Sequence, residues 1–245
     1  MFYRCPPAAA CAVYTVRPDG SRLKKVSTAV SDDSEGSFSP DGRHIVFTRA
    51  TGGIKSHAAG EQIQHADLVV MDLNGKHRRV LARTASYQAN YEFGMFSPDG
   101  SQFLFEHWRS HFADPQTRRA IVVASADGKH KRRITPWRLN AGDNADWSPD
   151  GTRILFRSHN DEDEATQSQI YTVRPDGSDL RQLTRFPAGT LILSSAYSPD
   201  GTQIVFAKGD AGDQADLFVM NADGTGARPV LTSPLWDSAP DWGTG

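Results

Sequence analysis

The chain has 245 residues and only two cysteines, Cys5 and Cys11. That excludes a disulfide-built scaffold, which needs several bridges in a short chain. No apolar run approaches the ~20 residues that span a bilayer as a helix, so membrane insertion is not expected. Charge of one sign is lacking too: 27 Lys and Arg stand against 29 Asp and Glu, a formal net charge of −2. That balance gives no general attraction to nucleic acid or to an acidic membrane. The opening residues, Met1-Phe2-Tyr3-Arg4-Cys5-Pro6-Pro7, contain no apolar h-region, so no signal peptide is expected. Absent as well are G-x-S-x-G, H-E-x-x-H, a P-loop and G-x-G-x-x-G, and with them the chemistries those motifs mark.

What the chain does have is repetition. An aromatic, a Ser-Pro-Asp-Gly turn and an apolar run recur as Phe38 to Gly42 with Ile45-Val46-Phe47, and as Phe96 to Gly100 with Phe103-Leu104-Phe105. Trp147 to Gly151 with Ile154-Leu155-Phe156 and Tyr197 to Gly201 with Ile204-Val205-Phe206 repeat it, and Asp241-Trp242 closes on a half copy. Pro presets φ, Asp bonds its own backbone and Gly takes positive φ, so each copy predicts a tight turn between two strands. A second series supplies another hairpin per unit, with Asp-Gly or Asn-Gly turns at Gly20, Gly75, Gly128, Gly177 and Gly224. Pro40, Pro98, Pro149 and Pro199 are 58, 51 and 50 residues apart. Four strands at a period near 50 predict an all-β fold, a β-propeller of four-stranded antiparallel blades.

The blades are expected at about residues 33–82, 90–135, 143–184 and 193–231. The chain starts in mid-blade at residues 2–27 and ends on a first strand at residues 237–242. The C-terminal strand is therefore expected to complete the N-terminal blade, giving a single-domain, five-bladed ring with no open edge. Cys5 and Cys11 flank the loop of that shared blade, either as two small free thiols or as a disulfide. Lys24-Lys25, Arg78-Arg79, Lys129 to Arg133 and Arg228 fall on or beside fourth strands. Basic outer strands resist edge pairing, a simpler reading than a nucleic-acid stripe.

The repeat unit resembles the TolB-type propeller repeat, PD40, whose hallmark is the aromatic-Ser-Pro-Asp-Gly turn. The likeness covers nearly the whole chain, with five units where TolB has six blades. It implies a propeller that meets protein partners in the periplasm.

Function is expected on the face opposite the monotonous turns, where loops vary in length and chemistry around the channel mouth. Aligned on the repeated aromatic, Asp33, Glu35, Glu92, Asp143, Asn144, Asp237 and Ser238 fall at that mouth. Converging carboxylates suit a divalent cation such as calcium, although no cofactor is required. The stretch Glu106-His107-Trp108-Arg109-Ser110-His111, read as a loop, brings a stacking ring and an anion-pairing guanidinium. His107 and His111 would share a metal only on a helix. Tyr91, Trp137, Arg138 and Trp236 extend the aromatic and cationic set. A monomeric, non-catalytic module binding a protein or small ligand is the leading expectation. The alternative is a lyase or hydrolase acting on a carbohydrate or secondary metabolite through Glu92, His107 and Asp143.

Overall fold

The computed structural model describes residues 1–5, 10–17, 19–27, 32–50, 66–83, 89–111, 114–158, 168–210, 215–238, 240 and 242. Among them helix is confined to one 3-10 turn, Trp137–Leu139, and the regular backbone is otherwise strand. The strands fall into two compact units, residues 1–117 with 123–131, and residues 118–122 with 132–245.

The first unit opens with β1 (Phe2–Arg4), β2 (Ala12–Thr15) and β3 (Lys24–Lys25), a three-stranded sheet in that order. β4 (Asp33–Phe38), β5 (His44–Ala50), β6 (Ala66–Asp72) and β7 (Arg79–Ala82) follow, each antiparallel to the one before. β8 (Ala89–Phe96) pairs antiparallel with β9 (Gln102–His111), and β10 (Asp114–Ser125) lies next. One parallel pair, Ala66 with Asn90, joins β6 to β8.

Residues 118–122 of β10 count with the second unit, where β11 (Arg132–Arg133) lies beside them. That unit continues with the sheet β12 (Ala141–Trp147), β13 (Ile154–Ser158), β14 (Gln169–Val173) and β15 (Arg181–Gln182). It ends with β16 (Thr190–Tyr197), β17 (Gln203–Asp210), β18 (Ala215–Asn221) and β19 (Arg228–Leu231). Both sheets run in chain order, each strand antiparallel to its neighbours.

The recurring turn explains the regularity. In all four copies the Ser Oγ–H donates to the Asp Oδ1 at 2.6 Å. The same Ser Oγ accepts the backbone N–H of the residue that enters the next strand, at 2.9–3.0 Å. The closing glycines have φ between 65° and 71°, which L side chains adopt only with strain. The apolar run after each turn is then sealed: Ile45-Val46-Phe47, Phe103-Leu104-Phe105 and Ile154-Leu155-Phe156 are all 0 % exposed. A continuous apolar run of this kind is the mark of a strand covered on both faces.

The outer hairpins register against the preceding sheet. A Cβ on Gly75 would lie 3.2 Å from the Val26 carbonyl oxygen, and one on Gly128 or Gly224 would strike the carbonyl of Leu81 or Leu183. Short outer strands are exposed and basic at β3, β11 and β15, as expected of protected edges.

The repeated aromatics are not equally covered, and the cysteines take one of their two readings. The ring of Phe38 is 42 % exposed, whereas Trp147 and Tyr197, at the matching places, are 5 % and 7 % exposed. Phe38 follows the sheet β1–β3, which has three strands rather than four, so less structure is available to cover it. Of the two readings for the cysteines, the bridge holds: Cys5 and Cys11 form a disulfide across the β1–β2 hairpin, their Cα atoms 4.0 Å apart.

Trp147→Ala should cost about 3–5 kcal/mol in chemical denaturation, as a buried aromatic deletion does. Phe38→Ala should cost clearly less. Equal losses would show that exposure does not separate the two rings.

Candidate functional site

The expected site residues of the first unit meet on one strand pair. The β8–β9 register sets Tyr91 against His107, Glu92 against Glu106, Asn90 against Trp108 and Ala89 against Arg109. These pairs lie at the strand ends away from the Ser97-Pro98-Asp99-Gly100 turn. Glu106 to His111 is therefore strand rather than loop, because the β9–β10 hairpin is longer than the sequence pattern suggests. On a strand His107 and His111 stand about 13 Å apart along the backbone, which removes the shared metal. Among the described residues no group of three His, Cys, Asp or Glu is arranged to hold a metal ion.

Tyr91 organises the wall of this region. Its ring centroid lies 4.9 Å from those of Phe105 and His107, both edge-on, and the Lys131 ammonium lies 5.9 Å from it. Burial, and then the Asp67 carboxylate, push the phenol above its ordinary value. Trp108 donates its indole N–H to Glu106 Oε2 at 3.3 Å. His107 and Trp108 are half-buried and Arg109 is exposed, while Glu92 and Glu106 lie behind them, 7 % and 0 % exposed.

A bulge recurs three or four residues before the repeated aromatic. The ladders shift register between Ser34 and Gly36, Glu92 and Met95, Gly142 and Asp146, and Ile192 and Ser194. Glu35, Phe93 and Asn144 sit there at φ 37°, 54° and 68°. Bulges re-aim side chains and gather near functional sites. Gly36 and Gly94 follow two of them, and a Cβ at Gly36 would strike the Val46 carbonyl.

Glu35 is half-buried on its bulge and has no hydrogen bond or ion pair among the described residues. Burial, and then the neighbouring Glu92 carboxylate, push its acid up to about 7. Asp33, expected beside it, is 0 % exposed and held by Arg49, which donates from Nε at 2.6 Å and from a terminal nitrogen at 2.7 Å. It therefore stabilises the strand pair β4–β5 and is closed to ligands.

In the second unit Trp137 and Arg138 lie on the 3-10 turn, with the Arg133 guanidinium 5.4 Å from the Trp137 ring centroid. Asp143 falls in β12, and its side chain lies outside the described residues. Trp236 is 54 % exposed. Asp237 Oδ2 accepts the Ser233 hydroxyl at 2.8 Å, and its backbone N–H donates to the Ala215 carbonyl. Asp161 to Glu164, an acidic run in the sequence, lie outside the described residues.

Sequence reading missed Phe105 and Lys131 as members of the first-unit site, and named Glu106 only as the start of the stretch to His111. The signal that sets Glu106 apart is its place: a carboxylate directly after an apolar triplet, where the other repeats have Thr48, Arg157 and Ala207.

Comparison with known proteins agrees with this architecture. The family model of the TolB beta propeller domain, PD40, matches residues 61–244. The Tol-Pal system protein TolB of Anaeromyxobacter sp. (strain K) is 34 % identical over 96 residues, 39 % of this chain and 20 % of that protein. The crystal structure of TolB from Acinetobacter baumannii superposes with a TM-score of 0.70 at 19 % identity, over 97 % of this chain and 53 % of that one. An oligogalacturonate lyase in complex with manganese gives a TM-score of 0.65 at 12 % identity, over 90 % of this chain and 59 % of that one. The chain thus spans a fifth to a little over half of these proteins.

A raised carboxyl pKa sets a sign. Folded Glu35 keeps its proton where the unfolded chain has lost it, so stability falls as pH rises from about 4.5 to about 7. Glu35→Gln should flatten that slope in pH-dependent melts, and Glu92→Gln should lower the Glu35 midpoint in an NMR titration. A Glu35 midpoint that ignores Glu92 would contradict the pairing.

Proposed function

We propose that this chain, which belongs to the TolB β-propeller domain family, is a non-catalytic module that binds a protein partner or a small ligand at the sheet ends opposite its Ser-Pro-Asp-Gly turns. The reading rests on the β8–β9 pairing, which brings Tyr91, His107, Trp108 and Arg109 to the same strand ends as half-buried or exposed side chains, Tyr91 with His107 on one face of the pair and Trp108 with the buried Glu106 on the other. Aromatic residues with arginine make the anchors that dominate recognition. A relative named for the Tol-Pal system favours a protein partner. Trp137, Arg138, Trp236 and Asp237 offer the same chemistry in the second unit, and the module acts as a monomer.

One observation favours an enzyme instead. A carboxylic acid near 7, as at Glu35, is poised for proton transfer at neutral pH. A lyase or hydrolase acting on a carbohydrate or secondary metabolite would then work through Glu92, His107 and Asp143, a reading that the oligogalacturonate lyase likeness supports by fold alone. Glu35 and Glu92 are also where a divalent cation such as calcium would find oxygen ligands.

The five-bladed ring belongs to the same proposal, with blades at 33–82, 90–135, 143–184 and 193–231 and a shared blade of 2–27 with 237–242. Two facts support it. The sheet β1–β3 is one strand short of its fellows. Val230 is 51 % exposed, whereas Val26, Leu81 and Ile134, at the matching place on other fourth strands, are 4 %, 4 % and 5 % exposed. Asp241 and residues 243–245 of the closing segment lie outside the described residues.

Partner capture from a bacterial extract tests the binding reading, with wild type, Trp108→Ala, Arg109→Ala and Asp150→Ala as baits. Loss of an anchor costs about 2 kcal/mol, roughly thirtyfold in affinity, so the first two variants should lose what wild type and Asp150→Ala retain. Turnover of oligogalacturonate, with or without calcium or manganese, that vanishes in Glu92→Gln would decide for the enzyme.

Removing residues 236–245 should cost most of the folding stability by opening the ring. An unchanged melting temperature would sink the closure.

A further inference from the structure

The Ser-Pro-Asp-Gly end of the first unit carries a feature that the binding reading leaves unused. A groove of about 710 Å³ opens there, lined by the turn residue Asp41, by His44, Asp72 and His77, and by Phe96 and Asp99 of the next repeat. The Asp72 carboxylate is held between two imidazoles, Oδ1 3.4 Å from His44 Nε2 and Oδ2 2.7 Å from His77 Nδ1. The groove's own guanidinium, that of Arg79, donates instead to the carbonyls of Ala126 and Asp127 at 3.1 and 3.3 Å. Asp41 accepts the Ser39 hydroxyl and the Arg43 N–H on Oδ1, and its Oδ2 takes no hydrogen bond from a described residue. Three carboxylates, those of Asp41, Asp72 and Asp99, line the groove with one guanidinium, beside the half-buried phenyl ring of Phe96.

The molecule shows elsewhere what fits this place. Aligned on the turns, His44 corresponds to Arg153, Val70 to Thr172 and His77 to Asp179. There the Arg153 guanidinium donates to Thr172 Oγ1 at 2.9 Å, to Asp179 Oδ2 at 2.8 Å and to the Asp179 carbonyl at 2.8 Å. Arg181 adds a second guanidinium on Asp179 at 2.7 Å. The β12–β15 repeat thus fills the position with an arginine of its own. In the β4–β7 repeat the shorter imidazole of His44 leaves it open.

We propose that this groove is a binding site for an arginine side chain presented by a peptide segment of a partner. A guanidinium is flat and always charged. It pairs with a carboxylate through two parallel N–H donors and stacks on an aromatic face. Asp41 and Asp72 supply the carboxylates, and Phe96 supplies the face. This site lies at the opposite strand ends from Trp108 and Arg109 and does not depend on that reading.

The test uses the full chain and two amidated heptapeptides, identical except that one carries arginine and the other citrulline, its neutral isostere. Binding is followed by NMR shifts at His44, His77 and Phe96 and by calorimetry. The arginine peptide should bind about tenfold tighter or more, the scale of a charge-assisted pair. His44→Arg should abolish that preference by supplying the guanidinium from within, with Asp41 and Asp72 as its acceptors in place of the Thr172 and Asp179 that hold Arg153. Asp41→Asn should weaken the arginine peptide by a similar factor without changing the citrulline one. Equal binding of the two peptides overturns the proposal. So does the absence of shifts at the groove, or arginine binding that survives His44→Arg.

Discussion

A serine hydroxyl bonded to an aspartate carboxylate, repeated four times, is what the architecture depends on. At 2.6 Å the Ser Oγ–H to Asp Oδ1 bond makes the turn rigid, and the free lone pairs of that hydroxyl accept the N–H that starts the next strand. The Ser97 hydroxyl, and then the Ser101 backbone N–H, donate to the Asp99 carboxylate and hold it ionised down to about 2. Because the turn decides which residue enters the ladder first, it decides which side chains face inward. A slip by one residue would move Ile45 and Phe47 to the face that Val46 fills, and would mismatch the packing on both buried faces.

That rigidity frees other positions. With turn and core occupied by almost identical residues in each repeat, the chain varies at the bulge, at the residue after the apolar triplet, and at the residue just before it. Glu35, Phe93 and Asn144 stand at the first place and Thr48, Glu106, Arg157 and Ala207 at the second. His44 and Arg153 stand at the third, where one leaves a groove and the other closes it. The same backbone therefore offers chemically different ends in different repeats without any change in how each sheet is built. Glu35 shows the cost: a half-buried carboxyl with Glu92 beside it keeps its proton to near neutral pH.

Much of this was legible beforehand. Turn chemistry is local, so Ser-Pro-Asp-Gly and Asp-Gly announced the hairpins, and the apolar triplets announced the buried strands. Tyr91, Glu92, His107, Trp108 and Arg109 were expected on one face, but with Glu106 to His111 read as a loop, so their pairing across β8 and β9 came from the ladder itself. The end of β9 was not, since a hairpin extends as long as its ladder finds partners, and polar residues such as Arg109 and Ser110 give no sign of that. Nor was the fate of Asp33. As a carboxylate near an expected binding face it looked available, yet a bidentate arginine one strand away closes it.

The sequence alone therefore determined strand order, turn type, the buried triplets and the family, because each depends on residues within a few positions of one another or on exact repetition. The Cys5–Cys11 bridge, the exposure of Phe38, the proton on Glu35 and the open groove at His44 were decided only by tertiary structure. Each of those depends on what lies across a neighbouring strand or sheet. Burial, pairing and proton affinity are properties of surroundings, and residues far apart in the chain supply them.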